Sequence, residues 1–187
     1  MRDHLSITFR PLAHDDLPLM HRWLNVGEAF KWYGLKPTTL DEITTEYTPT
    51  IDQTEPVFGF VILVDDRPAG YIQWYLIHDH PDYARQVDVP ADSAGIDLFI
   101  GEETFIHRGL GAPILRAFLR EIVFADDRVG RCLIGPDERN AIAIRSYEKA
   151  GFRHFKTVPI ADEPAPEYLM EITKEELFWS FRACRGI

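Results

Sequence analysis

Gly95-Ile96-Asp97-Leu98-Phe99-Ile100, then Arg108-Gly109-Leu110-Gly111-Ala112 running on into Pro113 to Phe124, is the stretch on which the fold turns. Its first part is a short apolar run carrying one acid, which predicts a buried strand over 94–100. In its last part Ile114, Leu115, Phe118 and Ile122 recur at helical spacing, which predicts a helix over 112–124. The glycines between them let the backbone approach a ligand closely. The first free N–H groups of the helix and its positive dipole end then favour a phosphate or pyrophosphate. A tight strand-to-helix turn would use the same two glycines. The site lacks the G-x-x-x-x-G-K-[ST] pattern, and no G-x-G-x-x-G follows a strand, so ATP and NAD are disfavoured.

Downstream, Arg131 to Gly135 reads as a strand, and Asn140 to Ala150 as a helix stopped by Gly151. Strands are expected at Phe152 to Val158 and Tyr168 to Ile172. Upstream, Ser6 to Leu12 alternates as a strand, and His14-Asp15-Asp16 can cap a helix whose apolar face is Leu17, Met20, Trp23 and Leu24. Leu40 to Tyr47, starting near Asp41, predicts a second helix. Val57 to Val64, the turn Asp65-Asp66-Arg67-Pro68, and Ala69 to Ile77 form a hairpin signal. From His78 to Ala94 periodicity is lost, and Asp79, Asp82, Asp88 and Asp92 face only Arg85, so this reads as a long functional loop. Hairpins first and strand-helix units later describe an α/β domain on a mixed sheet.

The chain has 187 residues, 45% of them hydrophobic, which suits one domain spanning 1–187 with a single core. Repeats, low-complexity tracts and linkers are absent. The longest apolar run, Val57 to Val64, falls far short of the roughly 20 residues a bilayer needs. Met1 to Ser6 shows no signal-peptide pattern, so a cytoplasmic location is expected. Cys132 and Cys184 lie outside any C-x-x-C pattern and read as reduced thiols. His78-Asp79-His80 does not converge on an ion, so no metal site is expected. A net charge of -10 repels nucleic acid and anionic membranes and draws in polycations. Either a monomer or a homodimer fits a chain of this size and acidity.

Arg108-Gly109-Leu110-Gly111 followed by Asn140-Ala141-Ile142-Ala143-Ile144-Arg145-Ser146-Tyr147-Glu148-Lys149-Ala150-Gly151-Phe152 resembles the GNAT superfamily of N-acetyltransferases, and the likeness covers nearly the whole chain. Trp32-Tyr33-Gly34, Gly70-Tyr71-Ile72-Gln73, Gly95-Ile96-Asp97 and Ser146 to Phe152 are similar in order and spacing to bacterial aminoglycoside 6'-N-acetyltransferases. The resemblance implies a GNAT-like fold, a mostly antiparallel sheet splayed at the cofactor site and flanked by helices. It further implies acetyl-CoA as co-substrate and direct transfer of the acetyl group to an amine.

An amine near neutral pH is mostly ammonium, so a carboxylate must take its proton. By resemblance that base is Asp97 and the general acid is Tyr147. The backbone of Leu98, Phe99 and Ile100 holds the oxyanion and the pantetheine arm, and Arg108, Gly109, Leu110, Gly111 and Ala112 hold the pyrophosphate. Asn140, Ala143 and Lys149 are further cofactor candidates. Residues alone leave rivals open: Asp97 as a solvated strand acid, Tyr147 as core filling, Asn140 as a helix N-cap, Lys149 as a solvated helix residue. On the acceptor side, Trp32, Tyr33, Gln73, Tyr75, Asp79 and Asp82 would line a site for a cationic amine sugar.

The sequence departs from the family in two places. Ile106 stands where the glycine loop usually starts with Arg or Gln, and Pro81-Asp82-Tyr83-Ala84-Arg85 stands where the aminoglycoside enzymes carry tryptophans. Alternatives to an aminoglycoside 6'-amine are a siderophore-precursor, lysine-type or polyamine amine, or a non-catalytic acyl-CoA-binding module.

Overall fold

The computed structural model describes residues 5–33, 36–161 and 165–183. Met1 to His4, Gly34 and Cys184, which entered the sequence reading, lie outside the described residues, as does the side chain of Phe181.

Strands β1 (Ile7–Pro11), β2 (Val57–Val64), β3 (Arg67–Leu76), β4 (Ser93–Ile100), β5 (Arg131–Ile134), β6 (Arg153–Val158) and β7 (Glu167–Thr173) follow the order β1-β2-β3-β4-β5-β7-β6. The helices are α1 (Leu17–Leu24), α2 (Gly27–Tyr33), α3 (Leu40–Ile51), α4 (Pro81–Val87), α5 (Gly111–Glu121), α6 (Ala141–Ala150) and α7 (Lys174–Ala183). β4 pairs parallel with β5, whereas β1 with β2, β5 with β7 and β6 with β7 are antiparallel. The mixed α/β class expected from the order of elements therefore holds.

The chain groups into two compact units: one of residues up to Trp74 with Leu98–Leu110, the other of Tyr75–Asp97 with the residues from Gly111 onward. In the first, Leu17, Met20, Trp23 and Leu24 are all buried, so the apolar spacing of α1 faces the core as predicted. They pack with Leu12, Ala29, Ile43, Val61, Tyr71 and Phe99. Asp16 does stand at the N-cap of α1, but its side chain caps nothing there. It turns back to accept from Arg10 Nη1 at 2.6 Å, Arg10 Nη2 at 2.7 Å and the Ala13 N–H at 3.0 Å. α3 starts under a Thr39–Glu42 capping box and runs through Pro49, longer than expected.

In the second unit Ile77, Val87, Leu133 and Leu169 form a buried cluster with Tyr75 and Tyr83 against it. Here one expectation fails: His78 to Ala94 is not a structureless loop. A 3₁₀ turn at Ile77–Asp79 leads into α4, closed by Asp88 in the left-handed conformation. Seven residues are too few for helical periodicity to show, and Val87 is the sole fully buried one. α4 is then tied down by hydrogen bonds from the Ala161 N–H to Gln86 Oε1 at 2.6 Å and from Lys156 Nζ to the Asp88 carbonyl at 2.9 Å.

The β6–β7 register slips between His154 and Lys156, and β6 is the last strand in the order. In α7 Leu177 is buried, while Phe178 and Trp179 are exposed.

Candidate active site

β4 carries the site. Its ladder with β5 covers Ser93, Ala94 and Gly95 opposite Arg131, Cys132 and Leu133. β4 then continues to Ile100 beyond that ladder. Alternation puts Gly95, Asp97 and Phe99 on one face of the strand.

In the second unit, Tyr75 lies against Gly95: a Cβ there would fall 2.6 Å from its Cζ. A glycine two residues before Asp97 is thus what admits this ring. The Tyr75 ring meets Tyr83 at 6.4 Å and His80 at 4.8 Å, both edge-on. The Tyr83 hydroxyl donates to Glu167 Oε2 at 2.9 Å and is hydrogen-bonded to Tyr75 as well. Burial pushes both phenols up, and the negative charges of Asp97 and Glu167 push them further.

Tyr147 is buried in α6, its ring 6.4 Å from Phe152. Burial raises its phenol above the ordinary value of 10.0, and the charge of Asp97 adds to the rise. The structure thus brings Asp97 and Tyr147 within electrostatic reach of each other, and the phenol keeps its proton at neutral pH. Cys132 is buried and raised by the same two causes, so it remains a neutral thiol.

The glycine loop divides its duties. Gly109 has φ +73 and nothing within 4 Å of where a Cβ would sit. This backbone needs glycine for conformation, and the space beside it is open. A Cβ on Gly111 would fall 2.3 Å from Ser146 Oγ, so that glycine serves the packing of α5 on α6. Leu110 is buried, Arg108 exposed and Ala112 partly buried. Pro113, in the first turn of α5, supplies no N–H, so the donors there come from its neighbours.

Asn140 caps α6, its Oδ1 accepting from the Ala143 N–H at 3.1 Å, so the capping reading of Asn140 holds. The Lys149 side chain is exposed, and its carbonyl accepts from Arg116 Nη2. Arg116 Nε reaches the Ala150 carbonyl at 3.2 Å, so one guanidinium closes the C-terminus of α6.

In the first unit, Phe99 is ringed by Tyr33 at 5.5 Å, Tyr71 at 5.8 Å and Trp23 at 6.2 Å. The Tyr33 hydroxyl donates to the Leu98 carbonyl at 2.8 Å, and Tyr71 donates to Gln73 Oε1 at 2.8 Å. The Trp32 ring is partly buried beneath Lys31 Nζ at 5.0 Å. Asp79 and Asp82 are exposed, and Asp82 pairs with Arg85 on its own helix. Asp92 serves structure, accepting from Arg131 Nε at 3.4 Å. Glu167 and Tyr83 were not singled out in the sequence: Glu167 reads there as an ordinary polar residue near a strand start.

Among the described residues no group of His, Cys, Asp and Glu could hold a metal ion, and no helix is long and apolar enough to cross a membrane. A family model described as an acetyltransferase (GNAT) domain matches residues 13–160. The chain is 31% identical over 162 residues to an aminoglycoside N(6')-acetyltransferase type 1 of Klebsiella pneumoniae, covering 86% of this chain and 80% of that protein. A crystal structure of the aminoglycoside acetyltransferase AAC(6')-Ib with coenzyme A is similar at a TM-score of 0.84 and 30% identity, covering 95% of this chain and 99% of that one. A structure of AAC(6')-Ib with coenzyme A and kanamycin is similar at a TM-score of 0.83 and 30% identity over the same shares.

Proposed function

Because the chain belongs to the GNAT acetyltransferases and is an acetyl-CoA-dependent N-acetyltransferase, we propose that its acceptor is an aminoglycoside, acetylated on the 6'-amine, with Asp97 as base and Tyr147 as acid. The observation that carries the mechanism is the Asp97 charge reaching the buried Tyr147 phenol. Acetyl-CoA supplies the acetyl group as a thioester. Its fit is supported by the open space at Gly109, by the donors at the start of α5 and by the backbone of β4 beyond its ladder with β5. Arg108, Gly109, Leu110, Gly111 and Ala112 would hold the pyrophosphate.

Asp97 takes the proton of the acceptor ammonium, freeing the lone pair for attack. The N–H groups of Leu98, Phe99 and Ile100 are the donors for the oxygen that gains charge. Tyr147, kept neutral by its surroundings, hydrogen-bonds the leaving sulfur and protonates it as the C–S bond breaks, and the second proton shed by the acceptor nitrogen restores the phenol. Residues 1–187 act together as one catalytic domain.

The acceptor reading draws on the aminoglycoside enzymes to which the chain is similar and on the acids and phenols around Asp97. Free-thiol release from acetyl-CoA against kanamycin, spermidine, lysine and a basic peptide tests it. Release with kanamycin and not with the others is the expected result. Release only with spermidine or lysine keeps Asp97 and Tyr147 and discards the aminoglycoside, whereas tight CoA binding with no release removes the enzyme reading.

A further inference from the structure

We propose that Arg145 and Lys149 bind the ribose 3'-phosphate of coenzyme A, so that this enzyme prefers the phosphorylated cofactor to its 3'-dephospho form. The inference rests on the reading above that the pyrophosphate lies at the start of α5. Three observations carry it, all within the second unit.

The first is where the two cations stand. In α6, Ile142, Arg145, Ser146 and Lys149 follow the three- and four-residue spacing that lines side chains along one side of a helix. Ser146 fixes what that side faces, since a Cβ on Gly111 would fall 2.3 Å from its Oγ. Further along, Arg116 of α5 donates to the Lys149 and Ala150 carbonyls. The two helices thus run in the same direction along one seam, with Ser146 level with the start of α5. Arg145 flanks that start, and Ile142 reaches about 6 Å beyond it. Long helical side chains lean toward the N-terminus of their own helix, so Lys149 leans back toward Arg145.

The second is that both cations are uncommitted. Arg145 and Lys149 are exposed, and among the described residues neither side chain has an acid or a carbonyl to hold. Glu148, between them in sequence, is ion-paired to neither. Every other arginine or lysine of this unit whose side chain is described is engaged by an acid or by a backbone carbonyl. In a protein with net charge -10, which repels anions at long range, two neighbouring unpaired cations make a local exception that a phosphate can use. The guanidinium supplies a planar fork of donors and the ammonium a compact charge.

The third is the company they keep. Ile142 is 56% exposed, one helical turn before Arg145. An open apolar side chain next to two unpaired cations suits a ligand that carries a flat ring and a phosphate on one ribose, which is the adenosine end of the cofactor.

Calorimetric binding of CoA and of 3'-dephospho-CoA to wild type, Arg145→Gln, Lys149→Gln and the double variant tests this, at low and moderate salt. Both substitutions lie on the surface, so unfolding temperatures should stay close to that of wild type. Wild type should bind CoA about tenfold more tightly than the dephospho form. Arg145→Gln should cut the preference to about threefold, and the double variant should abolish it, with dephospho-CoA affinity held within about twofold throughout. The preference should also shrink as salt rises.

A wild type that binds both ligands equally overturns the inference, as does a preference that survives in the double variant. An equal loss of both ligands in Arg145→Gln overturns it too, by placing that guanidinium on the pyrophosphate. Gly109→Val judges the glycine loop separately and should weaken both ligands alike. If it weakens neither, the pyrophosphate reading falls, while a preference lost in the double variant still assigns the 3'-phosphate to α6.

Discussion

Asp16, buried in one unit, and Glu167, half-buried in the other, are both carboxylates held by hydrogen bonds, the first from a guanidinium and the second from a phenol. Asp16 is gripped by both nitrogens of the Arg10 fork at 2.6 and 2.7 Å, and that hydrogen bonding holds its carboxyl below the usual range while raising the guanidinium. The charge is cancelled where it stands. Glu167 accepts from the Tyr83 phenol, and its charge, with that of Asp97, is felt at Tyr75 and Tyr83. A carboxylate gripped by a guanidinium ties the fold together; the charges of Glu167 and Asp97 also keep the phenols beside them protonated.

The sharpest break of that contrast is Asp97→Asn, expected to lower kcat about a thousandfold in the thiol-release assay while leaving the unfolding temperature nearly unchanged. A loss confined to stability would put Asp97 on the side of Asp16. Phe99→Ala, two residues on, should do the reverse. It empties a site ringed by Tyr33, Tyr71 and Trp23 and should cost about 3 to 5 kcal/mol in denaturant unfolding.

Tyr147→Phe should lower kcat about a hundredfold. The wild-type rate should show no alkaline fall from this phenol below pH 10, because the folded protein raises it above that value and its acid form persists to higher pH. An alkaline limb near pH 8 that vanishes in Tyr147→Phe would contradict the assignment. Asp16→Asn should cost about 1 to 3 kcal/mol without changing kcat. Since the folded carboxyl lies below its unfolded value, the stabilisation is present above pH 4 and fades as pH falls through the lowered folded value. Unfolding curves at pH 7 and pH 3 check this. Asp82→Asn, exposed and paired with Arg85 on its own helix, should move stability by less than about 0.5 kcal/mol.

Much of this was legible in the sequence because it rests on local pattern. The strand around Asp97, the helix behind Gly111, the α1 face and the hairpin each announce themselves within a dozen residues, by period or by turn residues. α2 and α4 do not, being seven residues each with too few buried positions to mark a face. The roles of Gly109 and Gly111 look alike in the sequence and part only in space, where Ser146 claims one and nothing claims the other. Glu167 is the clearest case: its partners Tyr83 and Gly135 are distant in sequence, and no local period links a strand start to a helix residue so far upstream.

β6, where the strand order ends, has a further consequence for the molecule in a crowded cell. A terminal strand offers unpaired N–H and C=O groups to any stray chain and invites runaway stacking. Here Arg153, His154 and Lys156 decorate that strand, and the register slip between His154 and Lys156 breaks its flatness. In a protein with net charge -10, these basic residues are grouped on a strand at one edge of the sheet. Replacing Lys156 with Val removes one of these charges together with the tie to the Asp88 carbonyl, and should shorten the time to visible aggregation on storage.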